Sequence, residues 1–355
     1  MGFIIFIFGD IAQLVERGLC KADVRSSSLL ISTSKYLKEV LIIMSANTLG
    51  ADINEIQLAF LLNGNKFPTT DAQNTYNSRV QTLTSSGKSS EVSDQNARAQ
   101  VTYDRFLKFL SDNKLGTPTA AYWTARPGVI SRIVGFPVDQ SKNPTDVLVE
   151  LSTGKFYGIS LKSTKSGKTG FKNPGMGTVE SQLGLSNKPF TKIVDKYREM
   201  VKNHLGSLVK DSDVARKSFF KTNPSVYKTI QTAYGIPCYE ELRDALYGHL
   251  KDKMDPWEQQ VFLGADICNE DEETMRLPYV KITGSGTGGN YTTDFYDPIA
   301  NSKINKLINK GANFSKKATT SKNTVQIKAG PEEIFQIRWK WSDKAFASSM
   351  KLSAE

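Results

Sequence analysis

Residues 143–163 read NPTDVLVELSTGKFYGISLKS, and this stretch decides the fold that the rest of the chain is expected to build around it. Two runs of alternating apolar residues flank Gly154, a pattern that predicts two antiparallel strands joined by a turn. Because side chains alternate between the faces of a strand, the odd-numbered positions form an apolar face and the even-numbered positions a second face. A register with residue 152 opposite residue 156 aligns these faces and places Asp146 across from Lys162.

An isolated Asp and Lys at the end of a hairpin are usually a surface ion pair that contributes under ~1 kcal/mol. Here residues 143–146 (NPTD) followed by residues 160–162 (SLK) resemble the motif of the PD-(D/E)xK nuclease superfamily, in which an Asp ends one strand and an acid-x-Lys lies on the next. The resemblance implies that Asp146 binds Mg²⁺, that the carbonyl of Leu161 adds a ligand, and that Lys162 orients or activates the attacking water. A hard cation held by oxygen ligands suits phosphodiester hydrolysis because it neutralises charge on the phosphate.

Ser160 departs from this motif, because it stands where the superfamily usually has Asp or Glu. A hydroxyl is a poor substitute for a metal-bridging carboxylate, so a second acid is expected from elsewhere. Some members of the superfamily carry Ser in this slot and recruit a Glu from a helix. By that resemblance Glu55, on a helix predicted over residues 52–62, is the first candidate for a catalytic and metal-binding acid, and Glu180 is the second. Glu150 is interpreted as a solvated strand residue.

The composition of the chain agrees with a nucleic-acid partner. Among 355 residues, 46 Lys and Arg outnumber 36 Asp and Glu, which gives a net charge of +10. With two histidines, His204 and His249, a three-histidine zinc site is excluded, and the three cysteines lack metal-ligand spacing. The apolar run over residues 3–8 is far shorter than the ~20 residues that span a membrane. We therefore expect a cytoplasmic protein with no membrane partner.

Two basic stretches are the predicted DNA contacts. The Gly-, Ser- and Thr-rich segment that follows Leu151 contains no acidic residue before Glu180, so it would contact phosphates without reading sequence, although it could also be a solvated loop. Near the C-terminus, residues 335–341 alternate between aromatic or aliphatic positions, expected in the core, and polar or basic positions. The predicted DNA-binding residues are Lys165, Lys168, Lys172, Arg338 and Lys340.

Two glycine patterns do not predict nucleotide sites. Gly167-Lys168-Thr169 lacks the first glycine of a P-loop, because position 162 is Lys. Gly284-x-Gly286-x-x-Gly289 matches a dinucleotide fingerprint by count, but residues 290–295 do not open a helix. The second pattern therefore predicts a turn.

The organisation of the chain follows from its composition along the sequence. Residues 11–33 resemble the peptides obtained when a transfer-RNA gene is translated conceptually, so residues 1–43 are expected to be a non-native extension and Met44 the true start. Residues 44–190 are predicted to form the nuclease core. Residues 191–355 are predicted to be helical and then β-rich, to complete the core and to contact DNA. The polar residues 69–100 are interpreted as a solvated helix or a mobile excursion.

These observations predict an α/β fold with a restriction-endonuclease-like core, a mixed β-sheet flanked by α-helices, with additional helical and β-rich C-terminal parts. The expected function is a Mg²⁺-dependent DNA endonuclease, restriction-like or homing-like, in which Mn²⁺ substitutes for Mg²⁺. A neighbouring transfer-RNA gene fits a phage or integrated element, and the two scissile strands of DNA favour a homodimer. The alternative is a non-catalytic nucleic-acid-binding phage accessory protein with a degraded site, for which Ser160 is the best argument.

Overall fold

The computed structural model describes residues 49–140, 142–165, 167, 170–206, 212–253, 255, 259, 262–263, 267–316 and 321–355. Predictions about residues 1–43, about Met44 and about Lys168 lie outside these residues. The helices of the described chain are α1 (49–62), α2 (Thr70–Ser85), α3 (Ser89–Asp112), α4 (Val129–Val134), α5 (Met176–Gln182), α6 (Pro189–Leu205), α7 (Asp213–Thr222), α8 (Pro224–Ile230), α9 (Ile236–Lys253), α10 (Glu272–Met275) and α11 (Lys303–Lys310). A π-helical turn, Gln231–Gly235, joins α8 to α9.

The strands of the described chain form two sheets. They are β1 (Pro118–Trp123), β2 (Val147–Leu151), β3 (Phe156–Thr164), β4 (Tyr279–Thr287), β5 (Asn290–Tyr296), β6 (Ala312–Lys316), β7 (Thr324–Ala329), β8 (Glu332–Trp341) and β9 (Met350–Ala354). The first sheet has the order β1-β2-β3-β4-β5, and the second has the order β6-β7-β8-β9. In the first sheet β3 and β4 are parallel whereas the other neighbours are antiparallel. The predicted fold class, a mixed sheet flanked by helices, is confirmed.

The hairpin of β2 and β3 forms as predicted, but with a different register. Val147 lies opposite Ile159, and Leu148 lies opposite Gly158. Continued by one position, this register puts Asp146 opposite Ser160, so the prediction that Asp146 lies across from Lys162 is wrong by two positions. The cause is the position of the turn, which comprises residues 152–154 and is closed by the Leu151 N–H to the Lys155 carbonyl at 2.9 Å. The turn is therefore centred on Thr153, one residue before the centre at Gly154 that the predicted register requires. A shift of two positions leaves every side chain on its predicted face.

The odd-numbered face of the hairpin is part of a core beneath α1 and α3. This cluster consists of Leu58, Ala59, Leu62, Ala99, Phe106, Phe109, Leu110, Ala121, Val147, Val149, Leu151, Tyr157, Ile159, Leu161, Val280 and Ile282. Helix α3 approaches β4 closely at Gly284, where a Cβ atom would lie 2.8 Å from the Arg98 carbonyl oxygen. This contact explains why residues 69–100 are not a mobile excursion. They form α2 and the first half of α3, and Gln95, Arg98 and Ala99 are buried.

The second sheet has the two faces that the C-terminal alternation predicts. Phe335, Ile337, Trp339 and Trp341 are buried, and the Trp339 Nε1–H donates to the Leu242 carbonyl of α9 at 3.2 Å. The glycine pattern at residues 284–289 lies in the β4–β5 hairpin, as its interpretation as a turn requires. No helix in the described ranges is both long and apolar enough to cross a membrane.

Candidate active site

Asp146 ends the ladder between β2 and β3. Its N–H donates to the Ile159 carbonyl at 2.9 Å, and its Oδ2 accepts the Leu161 N–H at 2.6 Å. The carboxylate thus binds the backbone donor at the point where strand pairing stops. Burial raises the pKa of Asp146, while the charge of Lys162, the Leu161 N–H and the charge of Lys281 lower it.

The loop that delivers Asp146 is fixed by short local contacts. Asn143 Oδ1 accepts the Thr145 N–H at 3.0 Å, and the Thr124 hydroxyl donates to the Thr145 carbonyl at 2.6 Å. Thr145 lies directly over Gly158 of β3, where any Cβ atom would overlap the threonine hydroxyl oxygen. The absence of a side chain at Gly158 therefore allows the loop to lie against β3 and to bring Asp146 next to Ser160.

Glu55 extends from α1 toward Asp146. Its Oε2 accepts the Trp123 Nε1–H of β1 at 2.9 Å. Burial and the charge of Asp146 together raise the pKa of Glu55 to about 8, against the opposing effects of Trp123 and Lys162. The structure therefore brings together three residues that were predicted as a site, Glu55, Asp146 and Lys162, although they come from distant parts of the chain.

The Ser160-Leu161-Lys162 segment places three different groups at the end of β3. Ser160 is buried, and the Leu161 side chain lies in the core while its N–H binds Asp146. Lys162 is exposed and lines a cleft of about 970 Å³. The lysine can therefore reach a ligand in the cleft while its charge still acts on the half-buried carboxyl groups of Glu55 and Asp146.

Lys281 of β4 is a site residue that the sequence interpretation missed. It lies opposite Ser160 in the parallel pairing of β3 with β4, and it is buried. Burial lowers the pKa of Lys281 to about 8, and the charge of Lys162 lowers it while that of Asp146 raises it. The available signal was a single charged residue within the otherwise apolar and hydroxyl-bearing run of residues 279–283.

A polar network behind the site was also missed. The Asn54 Nδ2–H donates to the Gln95 carbonyl at 2.8 Å, and the Ser163 hydroxyl donates to Gln95 Oε1 at 2.5 Å. An Arg98 guanidinium N–H donates to the Ser163 hydroxyl at 3.2 Å. Asn54 and Ser163 are the sequence neighbours of Glu55 and Lys162, so α3 ties together the two backbone segments that carry these side chains.

Glu180, the second candidate for the additional acid, has a different role. Its two carboxylate oxygens accept the Thr191 N–H at 2.8 Å and the Thr191 hydroxyl at 2.7 Å. Because Thr191 lies in the first turn of α6, Glu180 satisfies a backbone donor that the helix cannot satisfy itself. The interpretation of Glu180 as a catalytic acid is therefore corrected to that of a helix cap.

The predicted DNA contacts lie in two places. Arg338 and Lys340 of β8 line the same cleft as Lys162. Lys165 is exposed just beyond β3, and the Lys172 N–H donates to the Ile267 carbonyl at 3.0 Å. The cleft therefore connects the end of the β2–β3 hairpin with the basic face of the second sheet.

The centre offers oxygen ligands for one hard cation. Among the described residues, Oε1 of Glu55 and Oδ1 of Asp146 accept no hydrogen bond, and no group of three or more His, Cys, Asp or Glu side chains could hold a metal ion. Two carboxylates are nevertheless sufficient for Mg²⁺, which is usually bound through one or two carboxylates and keeps several waters. Two neighbouring carboxyl groups with raised pKa values fit a cation, which would relieve their repulsion.

Comparison with known proteins gives a limited result. No protein-family model matches the chain, and no curated protein matches it. Among solved structures, this chain is similar to a crystal structure of restriction endonuclease MspI in complex with its cognate DNA, with a TM-score of 0.32 and 10% sequence identity. The alignment covers 80% of this chain and 93% of the MspI chain. The functional inference therefore depends on the residues of the site itself.

Proposed function

We propose that this protein is a metal-dependent DNA endonuclease that hydrolyses phosphodiester bonds. The observation that carries the proposal is the convergence of two half-buried carboxyl groups, Glu55 and Asp146, with Lys162 at the mouth of a cleft. Two carboxylates that repel each other where contact with water is reduced destabilise the folded state. They are expected where a cation binds or where a proton is handled.

The chemistry can be divided among these groups. Glu55, Asp146 and the Leu161 carbonyl would hold Mg²⁺, or Mn²⁺ in its place, which supplies charge neutralisation at the phosphate and lowers the pKa of a bound water. The Trp123 Nε1–H binds one oxygen of Glu55, and the Leu161 N–H binds one oxygen of Asp146. Lys162 orients the attacking water from the cleft side and stabilises negative charge on the phosphate.

The cleft supplies a path for the DNA backbone. Lys162, Arg338 and Lys340 line it, and all three present donors suited to phosphate oxygens. Contacts of this kind fix the position of a strand without reading its bases, so they suit restriction-like and homing-like enzymes equally. A duplex has two scissile strands, and we extend the proposal to a homodimer that supplies one centre for each strand.

A second candidate is a non-catalytic nucleic-acid-binding protein. Ser160 favours it, because a hydroxyl beside Asp146 replaces a carboxylate that could ligate a cation. This candidate predicts that the protein binds DNA in the cleft and that the binding does not depend on divalent cations.

Plasmid DNA incubated with Mg²⁺ or with a chelator separates the two candidates. We expect nicked or linear products with the wild-type chain in Mg²⁺ alone, and none with Asp146→Ala. Asp112→Ala is the matched control, because Asp112 is an exposed aspartate that pairs with Lys108 at the end of α3. Binding of plasmid without cleavage by the wild-type chain would support the second candidate and reject the first.

A further inference from the structure

A row of three side chains crosses the first sheet at the level of the candidate centre. Asp146 lies opposite Ser160 by continuation of the β2–β3 register, and Ser160 lies opposite Lys281 in the β3–β4 pairing. Directly paired residues share a face of a sheet, so the small Ser160 side chain separates a carboxylate from an ammonium group. The charges of Asp146 and Lys281 act on each other across it.

The Lys281 ammonium group has few partners of its own. The side chain is 4% exposed, and its Nζ donates to Asn269 Oδ1 at a distance of 3.4 Å. It also lies 4.9 Å from the ring centroid of Phe171. An ammonium group has three donors, and this long contact is its one hydrogen bond within the described part of the chain. This loosely held cation places a positive charge beside Ser160 and Asp146, and the charge of Glu270 acts on it as well.

The charges and the ligands of the centre can be counted together. Glu55 and Asp146 contribute −2 when both are ionised, and Lys162 and Lys281 contribute +2, so the four groups sum to zero. One divalent cation brings the centre to +2, which the phosphates of a DNA strand can balance, whereas two would bring it to +4. Sites with two cations hold them ~3.5–4 Å apart, and such a pair needs more carboxylates than these two.

We propose that the centre binds a single divalent cation and that Lys281, on the far side of Ser160 from Asp146, is a positioning residue that excludes a second one. This inference rests on the proposed function, because it takes Glu55 and Asp146 as the cation ligands. The substrate consequence is that the second positive charge at the scissile phosphate comes from the protein. Ser160 has a reason to be small and neutral, since a carboxylate there would pair with Lys281.

Lys303 provides a matched control for Lys281. Its Nζ lies 5.0 Å from the ring centroid of the same Phe171, and burial lowers its pKa as it does for Lys281. The charges that act most on Lys303 include those of Glu270 and Asp294, whereas Lys281 also interacts with Lys162 and Asp146. Lys303 is half-buried and its Nζ donates to the Ile334 carbonyl at 2.7 Å, so Lys303→Met removes an ammonium group from the same ring without removing one from the row of Asp146, Ser160 and Lys281.

The test is a count of Mn²⁺ ions bound per chain, by titration calorimetry and by electron paramagnetic resonance, on the full chain at millimolar Mn²⁺. We expect one ion for the wild type, and one ion bound at least about tenfold more tightly by Lys281→Met, because a nearby positive charge is removed. Lys303→Met should bind like the wild type. The double variant Ser160→Asp, Lys281→Met should bind two ions, because it adds a carboxylate and removes the excluding charge, whereas Ser160→Asp alone should bind one. Two ions on Ser160→Asp alone would overturn the exclusion by Lys281.

The outcomes separate this inference from the proposed function. Two ions on the wild-type chain would overturn the single-cation inference and leave the nuclease proposal in place. Equal affinities for Lys281→Met and Lys303→Met would overturn the role of Lys281. Binding of no ion by the wild type would overturn the proposed function together with the inference. The wild-type count needs no substitution, so the inference remains falsifiable if Lys281→Met does not fold.

Discussion

The two sheets of this protein keep their charged groups in opposite environments. In the first sheet Asp146 directly precedes β2 and Lys281 lies in β4, and burial raises the pKa of the acid and lowers that of the lysine. In the second sheet the aromatic face is buried, whereas Arg338 and Lys340 lie on the opposite face beside the cleft. Burial strengthens the interaction of a charge with each neighbouring group, as an active site requires. Arg338 and Lys340 are half-buried, and partial contact with water weakens the interactions of such charges, which suits contacts with a repeated phosphate backbone.

The basic face of the second sheet carries its own signature. Lys340 of β8 lies directly opposite Lys351 of β9, and like charges in directly paired positions are destabilising. Burial lowers the pKa of Lys340, and Arg338 lowers it further. A bound phosphate would relieve this repulsion. A bound anion would therefore stabilise the second sheet, whereas a bound cation would stabilise the paired carboxyl groups beside the first sheet.

The largest effect that we expect is the fall in cleavage rate when Lys162 is replaced. Lys162→Ala should lower the cleavage rate by at least about a hundredfold, because it removes the group that orients water and stabilises the phosphate. DNA affinity should change little, since one of many positive charges is lost. Single-turnover cleavage and a filter-binding assay measure the two quantities. Lys165→Ala is the control, because Lys165 is exposed beyond the same strand; an equal loss of rate in both variants would contradict the assignment.

A smaller effect is expected where a buried acid has no part in the chemistry. Glu180→Ala should lower the free energy of unfolding by about 1–3 kcal/mol, because Thr191 loses an acceptor for its N–H and for its hydroxyl. Urea denaturation measures this change. Mg²⁺-dependent cleavage by the folded variant should remain, and its loss would return Glu180 to the centre.

Glu55 should make the stability of the metal-free protein depend on pH. Its pKa is raised from 4.5 to about 8, so the folded chain keeps a proton that the unfolded chain releases in this window. Stability should therefore fall as pH rises from about 4.5 to about 8. In Glu55→Gln this part of the slope should disappear from the thermal unfolding midpoint measured against pH. Added Mg²⁺ should raise the wild-type midpoint more at pH 8 than at pH 5, because the cation competes with the proton. An unchanged slope in Glu55→Gln would show that the carboxyl group is not held in this way.

The smallest effect is expected on the second sheet. Lys340→Gln should weaken DNA binding several-fold at low salt and lower the slope of log affinity against log salt by about 0.9, the value for one phosphate contact. The rate of cleavage at saturating DNA should not change. Lys108→Gln, a substitution outside the cleft lining, is the control, and an equal slope for both variants would remove the second sheet from the DNA path.

Local pattern was sufficient for the faces of the elements and insufficient for their long-range pairing. Alternation predicted the buried side of the β2–β3 hairpin and of β8, because strand periodicity is a local property. The register of the hairpin depended on whether the three-residue turn is centred on Thr153 or on Gly154. That single difference moved Asp146 from Lys162 to Ser160.

The remaining parts of the candidate site depend on contacts between distant segments. Lys281 lies beside Ser160 because β4 pairs with β3 in parallel after a long helical connection, and no local pattern encodes that pairing. Glu55 and Glu180 are both glutamates with helical surroundings, and their difference comes from their partners, Trp123 and Thr191. The sequence could identify both residues as candidates. It could not distinguish a carboxylate that caps a helix from one that faces another carboxylate, because that difference depends on the folded chain.

Gly158 shows how far the definition of a functional position can extend. It has no side chain to bind a cation, hold a proton or touch DNA, yet the loop that delivers Asp146 occupies the space where its Cβ atom would be. In a saturation mutagenesis experiment selected for activity, position 158 should tolerate as few replacements as position 146. A list of the reactive groups of the site would not include Gly158, whereas measured tolerance to substitution would identify it as a functional position.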